Sequence, residues 1–180
     1  LSPAALVGYL GALVPNLLAY LVGFLVIGSF WMGHHRVFRH IHRWDTTLLW
    51  LNILFLVTVA IEPFVIGIVM KEGPSLPAVA TAAGVWALTG ALLTLIWIYA
   101  TEGRRLVDPT LTRAYVGRYA RTVAVTPVIF ALSIGIAFVS PLLAEVSWAL
   151  GIATQTALRR RLARPTVRTP PSPPPTGART

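Results

Sequence analysis

All four histidines of the chain, His34, His35, His40 and His42, fall in one polar run, W-M-G-H-H-R-V-F-R-H-I-H-R-W-D, from Trp31 to Asp45. Imidazole is a common ligand of transition metals and haem iron. A haem- or metal-binding membrane oxidoreductase using these four side chains is therefore one chemistry the run could support. The other is interfacial, with Trp at headgroup level, Arg36 and Arg39 toward lipid phosphate, and imidazoles toward neighbouring helices. Trp31, His34, His35 and Phe38 have the i, i+3, i+4, i+7 spacing of one helix face. No carboxylate or second histidine group stands elsewhere at ligand spacing, and a membrane di-iron oxidase would need several such boxes. The interfacial cap is the better reading. There is no cysteine, and no nucleotide loop, G-x-S-x-G or H-E-x-x-H motif. An enzyme would have no nucleophile, base and oxyanion set to use, so neither catalysis nor a cofactor is expected.

These residues are positioned by apolar elements. Of 180 residues, 56% are hydrophobic and 12% charged, about half the charged share of a soluble domain. A backbone in hydrocarbon must bond internally, so each crossing needs roughly 20 apolar residues in a helix. Five such segments are expected, over residues 13–31, 46–68, 77–100, 122–139 and 141–158. Together they form an all-α polytopic bundle spanning residues 1–158. Pro63 should bend or end the second helix, and Ser140-Pro141 should make a tight reversal rather than one kinked helix. Residues 159–180, rich in Arg and Pro, should form a disordered cytoplasmic tail.

The net charge of +9 arises from 15 Lys and Arg against 6 Asp and Glu. In a soluble chain that balance would suggest nucleic acid, but no basic face with interleaved aromatics occurs. The cations sort by connection instead. The first holds Arg36, Arg39 and Arg43; the second only Lys71; the third Arg104, Arg105, Arg113, Arg118 and Arg121. The Ser140-Pro141 turn has none, and the tail holds the remaining arginines. Such alternation is what the positive-inside rule requires, with the arginine-rich connections in the cytosol of a multi-pass cell-membrane protein. It places Leu1 outside, and with no signal-peptide pattern a preceding helix is expected. A complete subunit would then have six helices, of which this chain supplies the last five.

Few polar groups fall inside the spans. Asn52, two turns into the second helix, would need an amide partner from another helix. Glu62, beside Pro63, and Glu145, a turn beyond Pro141, are expected near the outer surface.

The run from Ser29 to Leu56, S-F-W-M-G-H-H-R-V-F-R-H-I-H-R-W-D-T-T-L-L-W-L-N-I-L-F-L, resembles the stretch joining the second and third helices of the transmembrane-protein-175 family of potassium channels. The shared features are Ser-Phe-Trp, His-His-Arg with the following Phe-Arg, Asp45 before the next helix, and Leu-Trp-Leu-Asn. The resemblance implies a potassium-permeable channel subunit, in prokaryotes a homotetramer in the lipid bilayer, with potassium as permeant ion. The family's first helix lines the pore and carries an Arg followed by Phe-Ser-Asp. That tripeptide is absent here, so no filter residue can be carried over, and residues 1–180 alone are not expected to conduct. What carries over is a set supporting the pore helix: Trp31, His34, His35 and Asn52, with Arg36, Arg39 and Asp45 as a cytoplasmic interfacial cluster. Which of His34 and His35 faces the bundle stays open. A non-conducting accessory membrane protein is the remaining alternative.

Overall fold

The computed structural model describes residues 3–148 and 150–151. The chain runs through α1 (Pro3–Phe38), α2 (Thr46–Glu72), α3 (Leu76–Thr101), a 3-10 turn (Glu102–Arg104) and α4 (Arg113–Val139). Helical residues resume at 141 and reach the end of the described chain at 151. Among the described residues there is no strand, only one isolated antiparallel bridge between Ile41 and Val107. The protein is an all-α bundle. Among the described residues three helical stretches are long and apolar enough to cross a membrane: Thr46–Glu72, Leu76–Arg104 and Arg113–Val139. The remainder of the segment expected at 141–158, and the tail at 159–180, lie outside the described residues.

Helix ends follow local chemistry. Asp45 accepts from the Leu48 amide at 2.8 Å and starts α2, occupying one of the donors a helix N-terminus leaves unpaired. α2 passes through Pro63 and stops before Gly73, whose φ of 65° suits a residue without Cβ. Proline removes only one donor from the helical ladder, and in apolar surroundings a helix is the one backbone that keeps the rest satisfied. That is why Pro63 does not end α2. α4 begins at Arg113, capped by Thr112 accepting from the Tyr115 amide at 3.2 Å. The apolar count places the start of this helix at 122. Its opening turns carry Arg113, Arg118 and Arg121, and counting hydrophobic residues detects only the part able to enter lipid.

The Ser140-Pro141 junction is a reversal. Ser140 is extended, with φ −157° and ψ 113°, and Trp148 Nε1 donates to Ser133 Oγ at 2.9 Å. On one straight helix those two residues would be about 22 Å apart at 1.5 Å per residue. The contact requires the chain to fold back. Small residues seal the return, with Ala144 and Ala137 buried against Val79 of α3.

α3 is the centre of the bundle. Its Trp86, Leu93, Ile96, Trp97 and Ala100 are buried in one cluster with Phe30 and Val37 of α1, Leu48 and Phe55 of α2, and Phe130 of α4. Gly90 lets α4 approach closely: a Cβ there would lie 2.9 Å from Pro127 Cδ. Between lipid-facing helices such close contact, rather than burial from water, supplies most of the attraction.

Candidate functional site

The polar run lies where α1 leaves the bundle, and its geometry separates the two adjacent histidines. His34 turns inward and its Nε2 stands 2.7 Å from Asn52 Oδ1 on α2, so the ring proton on Nε2 is given to the amide oxygen. The imidazole lies stacked with Phe38 at 4.1 Å, Phe55 at 5.0 Å and Trp31 at 5.5 Å between ring centroids. Asn52 thus has the interhelical partner its position demanded. His35, one residue on, is exposed. It lines an open cleft of about 340 Å³ with Trp31, Met32 and Arg36. Trp31 is 56% exposed. Arg36 is half-buried, and its Nη2 is shut from solvent with no hydrogen-bond partner among the described residues.

The next part of the run joins α1 to the connection after α3. His42 and Arg43 donate their amides to the Leu106 carbonyl at 2.9 and 3.2 Å, and the Asp108 amide donates to the His40 carbonyl at 3.2 Å. The two arginine-bearing connections therefore meet at one end of the bundle. His40 is half-buried, with Nε2 3.1 Å from the Tyr115 hydroxyl and its ring edge-on to Trp97 and Tyr119. Burial, helped by the charge of Arg39, holds His40 below the usual histidine range, against a weaker pull from Asp108.

Asp45 is the knot of this end. Besides capping α2 it accepts from the Tyr99 hydroxyl and from Arg105 Nη1, each at 2.8 Å, and the Arg105 guanidinium lies 4.7 Å from the Tyr99 ring centroid. The Leu48 amide, and then Tyr99 and Arg105, hold the carboxyl below its ordinary value in spite of partial desolvation. Arg36 and Arg39, expected to cluster with Asp45, are not its hydrogen-bonding partners; Arg39 is exposed. The anchor is Arg105, which sequence reasoning does not single out. No local signal could have found it, since the pairing is set by α3 returning to the same end.

The four imidazoles do not converge. His34 is committed to Asn52 and His40 to Tyr115, while His35 and His42 are exposed. Among the described residues no group of three or more His, Cys, Asp or Glu could hold a metal ion. The arrangement is an interhelical polar lock.

Sequence reasoning misplaces one residue. Glu62 is fully buried on α2, ten positions before the helix ends at Glu72, or about 15 Å along the axis. The expectation of an outer rim rested on a helix bent or ended at Pro63 and no longer than residue 68, whereas α2 continues to Glu72.

A family model described as the endosomal/lysosomal potassium channel TMEM175 matches residues 2–63, the segment holding α1, the histidine run and the first part of α2. A potassium channel of Streptomyces collinus is 33% identical over 143 residues, covering 77% of this chain and 69% of the relative. A potassium channel of Chamaesiphon minutus is 26% identical over 138 residues, covering 75% and 68%. No solved structure matches.

Proposed function

The chain belongs to the TMEM175 potassium channel family, and from that premise we propose that it is a subunit of a potassium-permeable channel conducting passively down the electrochemical gradient. The observation that carries the reading is similarity to the Streptomyces collinus channel along 77% of the chain, with the family match taking in the His34–Asn52 lock.

In this reading Trp31, His34, His35 and Asn52 support a pore-lining helix. The lock fixes the facing turns of α1 and α2. The cleft beside it is lined by an indole, an imidazole and a guanidinium, groups with donors able to hold polar groups of a neighbouring helix end. Phe-Ser-Asp does not occur in residues 1–180, so no residue here is assigned to the pore wall. The arginine-rich end faces the cytosol by the positive-inside rule, the membrane is the cell membrane, and the assembly is a homotetramer.

Potassium flux tests the proposal. The natural protein reconstituted in liposomes should discharge a potassium gradient and leave a gradient of an impermeant organic cation standing. Vesicles that hold both gradients equally would overturn it.

A further inference from the structure

Glu62 is fully buried, yet neither carboxyl oxygen has a hydrogen-bond partner among the described residues. It lies sixteen positions after Thr46, about 24 Å along α2, deep in the part of the helix able to cross lipid. Thr89 of α3, also fully buried, stands beside it. Trp86, three positions earlier on the same α3 face, is the other buried side chain of this region with an unpartnered polar atom, its Nε1.

Among the described residues no cation faces this carboxyl. α3 contains no Lys, Arg or His. α1 has none before His34, α4 has none after Arg121, and the last helical stretch offers only Glu145 as an ionisable group through residue 151. On α2 the sole cation is Lys71, nine positions on and exposed. An ion buried without countercharge is the costliest state a side chain can take inside a bundle.

The hydroxyl geometry gives an independent reason. Thr89 Oγ1 donates its proton to the Val85 carbonyl at 2.9 Å, so what it offers Glu62 is a lone pair. A carboxylate would set lone pair against lone pair, whereas a carboxylic acid has the O–H that a lone pair can accept.

We propose that Glu62 is a proton-binding site inside the bundle, a carboxylic acid kept neutral by its burial without countercharge at the α2–α3 contact, beside the Thr89 hydroxyl. The ligand is the proton itself. Its loss would leave a bare carboxylate at the α2–α3 contact, and the helices would have to part or admit water. The proposal needs α2 in the membrane but not conduction, so its failure would leave the channel reading standing.

Infrared spectra of the natural protein in lipid at neutral pH provide the test. A protonated-carboxyl C=O band should be present, vanish in Glu62→Gln and shift in Thr89→Val. A spectrum with no band lost in Glu62→Gln, or a band that Thr89→Val leaves in place, would overturn the proposal. Should Glu62→Gln fail to fold, dicyclohexylcarbodiimide reads the unmodified protein. The acid proton passes to one carbodiimide nitrogen and the carboxyl oxygen bonds the central carbon, giving an O-acylisourea that rearranges to a stable N-acylurea. The adduct should map to Glu62 and spare the exposed Glu72 and Glu102; an adduct pattern without Glu62 would overturn the assignment.

Discussion

Arg105 and Asp45 stand 60 positions apart in sequence and 2.8 Å apart in space, so the connection after α3 is tied to the first turn of α2. The same carboxylate caps that helix. One side chain therefore joins a local role to a long-range one, and the two can be separated by substitution.

Asp45→Ser keeps an oxygen able to cap α2 but cannot reach Arg105, whereas Asp45→Ala loses both roles. Thermal unfolding in detergent should rank the natural protein first, Asp45→Ser second and Asp45→Ala last. Arg105→Ala should lower the midpoint of the natural protein by more than that of Asp45→Ser, where only its stacking on Tyr99 is left to lose. Because the pair is partly exposed, added salt should shrink the Arg105 effect. Equal midpoints for Asp45→Ser and Asp45→Ala would show that capping contributes nothing here.

His34 and Asn52 offer a cleaner pairwise test. Interhelical hydrogen bonds in membrane proteins couple by about 0.6 kcal/mol on average and rarely beyond about 1.7 kcal/mol. A double-mutant cycle of His34→Ala and Asn52→Ala, read by unfolding equilibrium in detergent, should fall in that range. The same measurement on His35→Ala with Asn52→Ala should give no coupling, since His35 is exposed. If His34 supports the pore helix, His34→Ala should also reduce potassium flux more than its loss of folded protein explains.

The bundle was legible from the apolar runs, and the start of α2 from Asp45 standing before Thr-Thr and a hydrophobic segment. Composition reports what lipid requires of each helix by itself, and that is most of what a membrane fold must satisfy. It does not report rotation. His34 and His35 have equal claims on one helix face until α2 places Asn52 opposite one of them. Glu62 reads as a rim residue because proline breaks helices in water, where freed backbone groups can turn to solvent. Asp45–Arg105 and Ser133–Trp148 depend on which ends of the bundle meet, and no window of sequence contains both partners of the first.

Gly90 marks a close approach of α3 to α4. Alanine there would place its Cβ 2.9 Å from Pro127 Cδ and 3.1 Å from the Pro127 backbone nitrogen. A proline ring cannot swing aside, so the helices must separate, at about 1–3 kcal/mol for an overpacked contact. Gly84, earlier on α3, has open space where a methyl group would stand, with nothing within 4 Å, and Gly84→Ala should not destabilise. Unfolding equilibria of the two variants would check the contrast; alanine favours a helix over glycine at both positions, so equal changes in the two would mean that the α3–α4 contact at Gly90 costs nothing.

His40 should make the polar end sensitive to mild acid. Burial and Arg39 lower its proton affinity in the folded protein relative to the ordinary value of 6.5. In the neutral ring Nε2 can accept the Tyr115 proton across 3.1 Å. Above the ordinary value both folded and unfolded rings are neutral, and the stabilisation is complete. As pH falls below it the unfolded ring takes up its proton first, so unfolding is favoured until the lowered folded value is passed. Asp45 acts in the same direction but lower on the scale: its stabilisation is present above its ordinary value of 3.8 and is lost as pH falls through its depressed folded value. Melting temperatures should therefore decline in two separated steps on acidification. His40→Phe should shrink the upper step and keep the lower one, whereas Asp45→Asn should do the reverse; the half-buried His34 and the Thr110-bonded Asp108, shifted in the same directions, keep either step from vanishing. An upper step that His40→Phe leaves undiminished would remove His40 from the account.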